Sequence, residues 1–227
     1  HYPLRRQRQM CIRDRINPLI NLLEQDKSEK VRAAAATALG KFVMLVELEK
    51  LRSCYKSKIE HVLLGVSNDK SAPVEVRRRA LEAVAPLSLP QVKKAIMEAY
   101  QSPEPKLRVS AIYAMGRNCD PSWLSILLKE LASADVEIRY EASMACGELG
   151  EEEAVPYLIE LVSDPDAEVQ LAAIQALGKI GGSEAEEYLE TCLKNPSKEI
   201  RQAAEQALSE LEVEEAPFSF KYETGLS

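Results

Sequence analysis

VQLAAIQALG, residues 169–178, places Val169, Ala172, Ala173, Ala176 and Leu177 at i, i+3, i+4, i+7 and i+8. That spacing is one stripe of an amphipathic helix. Alanine at the inner places of the stripe lets a neighbouring helix approach closely. The phrase recurs as VRAAAATALG at 31, VRRRALEAVA at 76, LRVSAIYAMG at 107, IRYEASMACG at 138 and IRQAAEQALS at 200. From 76 onward every step is 31 residues, whereas the first step is 45. The 14 extra residues, KFVMLVELEKLRSC (41–54), follow the first phrase and predict a longer helix or a loop near 41–56.

Outward from the phrase, each unit shows the same grammar. A turn signal precedes it, such as SDPDAE at 163–168, NPSKE at 195–199 or SPEPK at 102–106. Before the turn runs a second apolar series, such as Val155, Leu158, Ile159 and Val162, or Leu124, Leu127, Leu128 and Leu131. Asp120-Pro121 supplies a cap and a first-turn proline for this second helix. Gly150 and Gly181 are candidates for the left-handed residue that ends a helix. Each unit therefore reads as helix A, turn, helix B, and cannot bury both faces alone. Stacking buries a continuous core. The expectation is an all-α chain, a right-handed α-solenoid of about six helix-turn-helix repeats near 16–40, 57–88, 91–118, 121–149, 152–181 and 183–211.

The unit, turn-[VIL]R-x-x-A-x-x-[AV]-[LM]-G, resembles the short HEAT-like repeat of the type found in phycobilisome lyases. It lacks the TPLH phrase of ankyrin repeats and the Trp, Tyr and Pro pattern of tetratricopeptide repeats. The resemblance spans about residues 16–211 and implies a fold; such repeats serve scaffolds, adaptors and a few enzymes.

The bulk composition agrees with a globular helical chain: 46% hydrophobic, 29% charged and only 5% aromatic residues. No apolar run approaches the ~18 residues of a membrane span, and no secretory signal is visible. Cys11, Cys54, Cys119, Cys146 and Cys192 form no CxxC, and His1 and His61 are the chain's histidines, so no metal site is expected. Free thiols of a cytoplasmic protein are the plain reading. The net charge of −7 conceals an asymmetry. Residues 1–115 hold 21 Lys+Arg against 12 Asp+Glu, and residues 116–227 hold 8 against 24. That acidic second half opposes a long nucleic-acid groove. Motifs for a nucleophilic serine, a phosphate loop or a zinc peptidase are absent, and no catalytic residue or cofactor is expected. The carboxylates at Glu151–Glu153 and at Glu184, Glu186 and Glu187 sit at helix starts, where they complement the helix dipole. Trp123, in a first helical turn, reads as packing.

Two sets of residues stand out for function. Arg32, Arg77, Arg108, Arg139 and Arg201 recur at the second place of the phrase, with Gln170 breaking the series. The HEAT-like resemblance implies an inter-repeat ladder in which each pairs with a carboxylate or carbonyl of an adjacent turn; Asp135 lies one turn before Arg139. In Arg77-Arg78-Arg79, neighbours about 100° apart cannot all face a ladder, so one or two are expected to be solvated. The third and seventh places of the phrase lie on one side of helix B, opposite the core stripe. They read Val109 and Tyr113, Tyr140 and Met144, and Leu171 and Gln175 in the middle repeats. Ala33, Arg78, Glu82, Gln202 and Gln206 stand there elsewhere. Val109, Tyr113, Tyr140, Met144 and Leu171 are the expected partner-binding strip on a concave B-helix surface.

The leading expectation is a non-enzymatic scaffold or adaptor that binds another protein. The alternatives are a phycobilin lyase-like enzyme subunit, implied by the family resemblance alone, and a nucleic-acid-binding HEAT-like protein. At the ends, residues 212–227 leave the helical period, with Phe218, Phe220 and Tyr222 alternating, and are expected to form a flexible tail. HYPLRRQRQMCIRDR, residues 1–15, shares neither the period nor the charge balance of the repeats. Its part RQRQMCIRDR resembles a translated sequencing adapter, so the stretch is expected to be foreign to the chain, and the first repeat seen here need not be the first in nature.

Overall fold

The computed structural model describes residues 15–47 and 53–215. Most of the basic opening stretch, the centre of the insert and the alternating aromatics of the tail lie outside the described residues. Among the described residues there are twelve α-helices and no strand: the chain is an all-α solenoid. The A helices are α1 (15–25), α3 (Ser53–Asn68), α5 (Pro90–Tyr100), α7 (Leu124–Glu130), α9 (Val155–Leu161) and α11 (Ser183–Cys192). The B helices, which carry the repeated phrase, are α2 (Glu29–Glu47), α4 (Val74–Val84), α6 (Pro105–Asn118), α8 (Val136–Leu149), α10 (Ala167–Ile180) and α12 (Lys198–Glu215). The insert lengthens the first B helix at least through Glu47.

The chain divides into two compact units that meet in sequence between Trp123 and Leu124. In the first, α4 packs on its own A helix α3 and on both neighbouring B helices, α2 and α6. In the second, α10 packs on α9, α8 and α12. The stripe that announces the phrase is the core of each unit. Val169, Ala172, Ala173, Ala176 and Leu177 are all buried, as are Leu127, Leu131, Val155, Leu158 and Val162 of the A helices.

The seams between B helices are closed by small residues in a fixed register. The tenth residue of one phrase meets the eighth of the next. Gly147 lies against Ala176 and Gly178 against Ala207 in the second unit, and Gly40 lies against Ala83 in the first. A Cβ placed on Gly147 would stand 2.9 Å from the Ala176 Cα, and one on Gly178 would stand 2.7 Å from the Ala207 Cβ. Glycine is needed at these two places because backbone meets backbone.

Local signals set the helix ends. Asp135 accepts the Glu137 N–H at 2.9 Å, and Asp166 accepts those of Glu168 and Val169. Asp120 accepts the Ser122 N–H at 3.0 Å and opens a short 3-10 turn, Pro121–Trp123, ahead of α7. The helix-ending residues 119, 150 and 181 all have positive φ. Gly150 is left-handed (φ 75°, ψ 18°), whereas Gly181 pairs its φ of 69° with an extended ψ of −156°. Cys119, without a glycine's freedom, is held left-handed at φ 50° and ψ 34°. Beside it the buried Asn118 amide donates to the carbonyls of Ala85 (2.8 Å) and Leu87 (3.2 Å), while its oxygen accepts the Trp123 indole N–H at 3.0 Å. Trp123 is therefore part of the packed core, and its polar edge is satisfied.

Candidate functional site: the ladder arginines and the B-helix face

The second place of the phrase puts each ladder arginine in the first turns of a B helix, beside the turn that precedes it. Arg32 donates from Nε to the Leu23 carbonyl at 2.8 Å, and Arg77 does the same to Ser67 at 3.2 Å. Arg201 donates from Nη1 to the carbonyls of Asn195 (2.6 Å) and Pro196 (2.8 Å). These acceptors belong to each arginine's own repeat, at the end of its A helix or in the following turn, where carbonyls lack helical partners and carry partial negative charge. The expected chain of inter-repeat rungs is thus corrected for Arg77 and Arg201, which clamp A to B inside one repeat. Arg32 does the same, and its charge also helps to hold the Asp69 carboxyl low in the turn of the next repeat. Gln170 fills the break in the series with the same chemistry, donating its side-chain amide to the Asp164 carbonyl at 2.6 Å. Arg108 is half-buried on α6.

Arg139 is different. It clamps its own repeat through Nη1 to the Ser133 carbonyl at 2.8 Å. It also reaches the next turn, where Nε and Nη2 donate to Asp164 Oδ2 (2.8 Å) and Oδ1 (3.0 Å). Side-chain exposure is 12% for Arg139 and 4% for Asp164, so the fork is largely withdrawn from water. The hydrogen bond from Arg139 holds the Asp164 carboxyl below the usual range against the opposing effect of burial. Asp135, the acid that sequence proximity favoured for Arg139, caps α8 instead. Asp164 was the missed residue; the signal was its place five residues before the phrase, in the turn of the following repeat.

In the arginine triplet on α4, Arg78 and Arg79 are both paired with carboxylates, and Arg79 stays partly solvated at 39% side-chain exposure. Arg79 donates to Glu75 at 2.9 Å and to Glu82 at 2.9 Å, and Arg78 reaches Glu75 at 3.1 Å. Ser110 of α6 joins the cluster, accepting from Arg78 Nε at 2.9 Å and donating to Glu82 at 2.6 Å. Burial works against the Glu75 charge, but the Arg79 hydrogen bond and the charge of Arg78 outweigh it and keep the carboxyl low. The cluster is internally neutralised and ties α4 to the next B helix.

The partner strip falls into two parts. On α6, Val109 is buried at 4% exposure and drops out as a contact residue, because its helix is covered on that side as well as on the core stripe. Tyr113, one turn on, is 40% exposed. In the second unit Tyr140 and Met144 of α8 and Leu171 of α10 are all half-buried, and Gln175 is exposed. These two helices pack on each other, so the three apolar side chains share one unit and one B-helix face.

Other chemistry is quiet. Among the described residues no group of three His, Cys, Asp or Glu could hold a metal ion. Burial pushes the Cys146 thiol up to about 12 and also raises Cys192, so neither is a thiolate at neutral pH. Hydrogen bonds from Lys93 and then Ser122 bring the Asp120 carboxyl down to about 2. None of the described helices is long and apolar enough to cross a membrane.

Models of the HEAT repeat match residues 16–45 and 124–209. The chain is a HEAT-repeat protein. No curated protein matches the sequence. Among solved structures, the fold is similar to the complex of CpcE and CpcF of phycocyanin lyase from Nostoc sp. PCC7120, at 19% identity and a TM-score of 0.57 over 86% of this chain and 76% of that one. It is also similar to an engineered protein (21% identity, TM-score 0.53, 87% of this chain and 96% of that one). A designed armadillo repeat protein in complex with the peptide (KR)4 matches at 18% identity and a TM-score of 0.53, over 86% of this chain and 98% of that one. At these identities the likeness is one of fold. The HEAT-repeat assignment and the 31-residue period thus agree, and the short repeat type read from the sequence stands.

Proposed function

We propose that this HEAT-repeat protein is a non-enzymatic binding scaffold whose partner is a segment of another protein, docked on the B-helix face of the second unit. The observation that carries the reading is the trio Tyr140, Met144 and Leu171. Large apolar side chains stand half-buried at the third and seventh places of two adjacent B helices, where the last repeat presents Gln202 and Gln206. Burying the remaining surface of such side chains is the usual source of binding energy at an interface centre, and glutamines at the rim supply hydrogen bonds. Tyr113 offers a similar handle on the first unit. The designed armadillo repeat protein of similar fold, in complex with the peptide (KR)4, supports the class of ligand.

The test is selection of a random peptide library on the immobilised chain, followed by affinity measurement on the Tyr140→Ala/Leu171→Ala variant. Loss of two hot-spot contacts should weaken selected peptides at least about tenfold while the helical circular dichroism is unchanged. Undiminished affinity in the folded variant would remove this surface as the site.

A further inference from the structure

The place five residues before the phrase holds a small polar or acidic residue in every turn between an A and a B helix: Asp26, Ser71, Ser102, Ser133, Asp164 and Asn195. In five of them that residue's side-chain oxygen accepts the N–H two residues on, as Asp164 does from Asp166 (2.9 Å) and Ser102 from Glu104 (3.2 Å). In the Ser71 turn the capping oxygen comes from Asp69 instead. A carboxylate in this place can do two things at once. Asp164 caps its turn and still presents both oxygens to Arg139 of the preceding repeat. Ser102 occupies the same place opposite Arg77, and its neutral hydroxyl is already engaged by Glu104.

The consequence is a groove. A cleft of about 440 Å³ lies between the second and third repeats, lined by Ser67, Lys70, Arg77, Leu81, Glu98 and Ser102 among others. Arg77 spends Nε on the Ser67 carbonyl, and among the described residues no acceptor engages its two terminal nitrogens. Lys70 adds a second positive charge to the lining. Glu98 is the opposing charge, and Lys94, 3.8 Å away, accompanies it. Carbonyls at the C-terminal ends of α3 and α5 border the cleft and oppose an anion, and Arg77 already covers that of Ser67. A half-buried guanidinium fork facing a cavity of this size calls for a planar, bidentate acceptor.

We propose that this groove binds an acidic segment of a partner polypeptide, whose carboxylate accepts from the two terminal nitrogens of Arg77, as Asp164 accepts from Nε and Nη2 of Arg139. The site is separate from the B-helix strip and shares with the reading above only the class of partner, so either can fail without the other.

The experiment is an NMR titration of the full chain with the tripeptide acetyl-Asp-Glu-Asp-amide, following the arginine Nε–Hε signals. The Arg77 signal is identified by its disappearance in Arg77→Lys. The acidic peptide should move it saturably with a Kd of about 1 mM. The Asn-Gln-Asn analogue should leave it in place. In Ser102→Asp, with the circular dichroism unchanged, the carboxylate supplied in cis should weaken the peptide at least about tenfold. Three results overturn the proposal: an Arg77 signal unmoved by the acidic peptide, equal binding to Ser102→Asp, or an equal response to inorganic phosphate, which would make this a general anion contact.

Discussion

Arg77 and Arg139 hold the same place in their repeats, and each donates to a carbonyl of its own repeat, Arg77 Nε to Ser67 at the end of α3 and Arg139 Nη1 to Ser133 in the turn, yet only Arg139 also grips the next repeat. The difference lies in one residue of the following turn, Ser102 in one case and Asp164 in the other. Both turns close, and both pairs of B helices pack. The rung is therefore an addition to a seam that already stands on its packed helices. In the first unit the α4–α6 seam gains instead from the Arg78–Ser110–Glu82 bridge. Repeats of one design thus solve one stacking problem with different side chains, and the solutions differ in how much each can lose.

The contrast is broken most strongly at the rung itself. Asp164→Ala leaves the Arg139 guanidinium, 12% exposed, without its carboxylate, and should cost about 3 kcal/mol in urea unfolding. Arg77→Ala, which removes one carbonyl contact and no ion pair, should cost about 1 kcal/mol. Equal losses would refute the distinction. The seams give the next largest effect. In an open helix Gly→Ala gains stability, but Gly147→Ala should lose about 2 kcal/mol because its Cβ would meet the Ala176 backbone. At Gly40 the same change meets Ala83 Cβ at 3.1 Å and should lose about half as much.

The smaller effects sharpen the picture. Cys119→Gly should raise stability by about 0.5–1 kcal/mol, since glycine adopts the left-handed angles that Gly150 already uses, offset in part by its greater freedom when unfolded. A fall in the urea midpoint would show that the cysteine's own contacts outweigh the strain. Acid unfolding compares the carboxylates. Asp164 and Asp120 both titrate below the ordinary aspartate value of 3.8 when folded. The unfolded chain then binds more protons, so their contribution is present above the ordinary aspartate value and is lost as pH falls below it, for Asp120 toward about 2. Asp164→Asn should flatten that acid limb measurably; an unchanged slope would mean the rung carries no charge-linked stability.

Much of this was legible beforehand, and for a physical reason. A 31-residue period with a buried stripe fixes helix pairs and their order, because no unit can hide both faces alone. The Glu75 and Glu82 partners of Arg78 and Arg79 stood at helical spacings of three and four, so that pairing was open to reading too. What escaped was direction across the stack. Arg32 bonding Leu23 and Arg139 bonding Asp164 follow from the same sequence place, and only the packed helices decide which acceptor is within reach. Likewise Val109 and Tyr113 share one side of α6, and only packing separates the buried one from the exposed one. Distance along the chain favoured Asp135 for Arg139; distance in space chose a residue 25 positions away.

Asp164 has one more implication. An array of near-identical modules can stack with the wrong neighbour, since small-residue seams look alike from one junction to the next. Asp164 is largely buried and needs Arg139 in front of it, while Gln170 behind it takes only its carbonyl. The other repeats also present an arginine at that place, so the carboxylate is left without a cation only against Gln170, that is, against a second copy of its own repeat. The pair thus disfavours stacking like on like between two chains, an exchange to which a repetitive array is open.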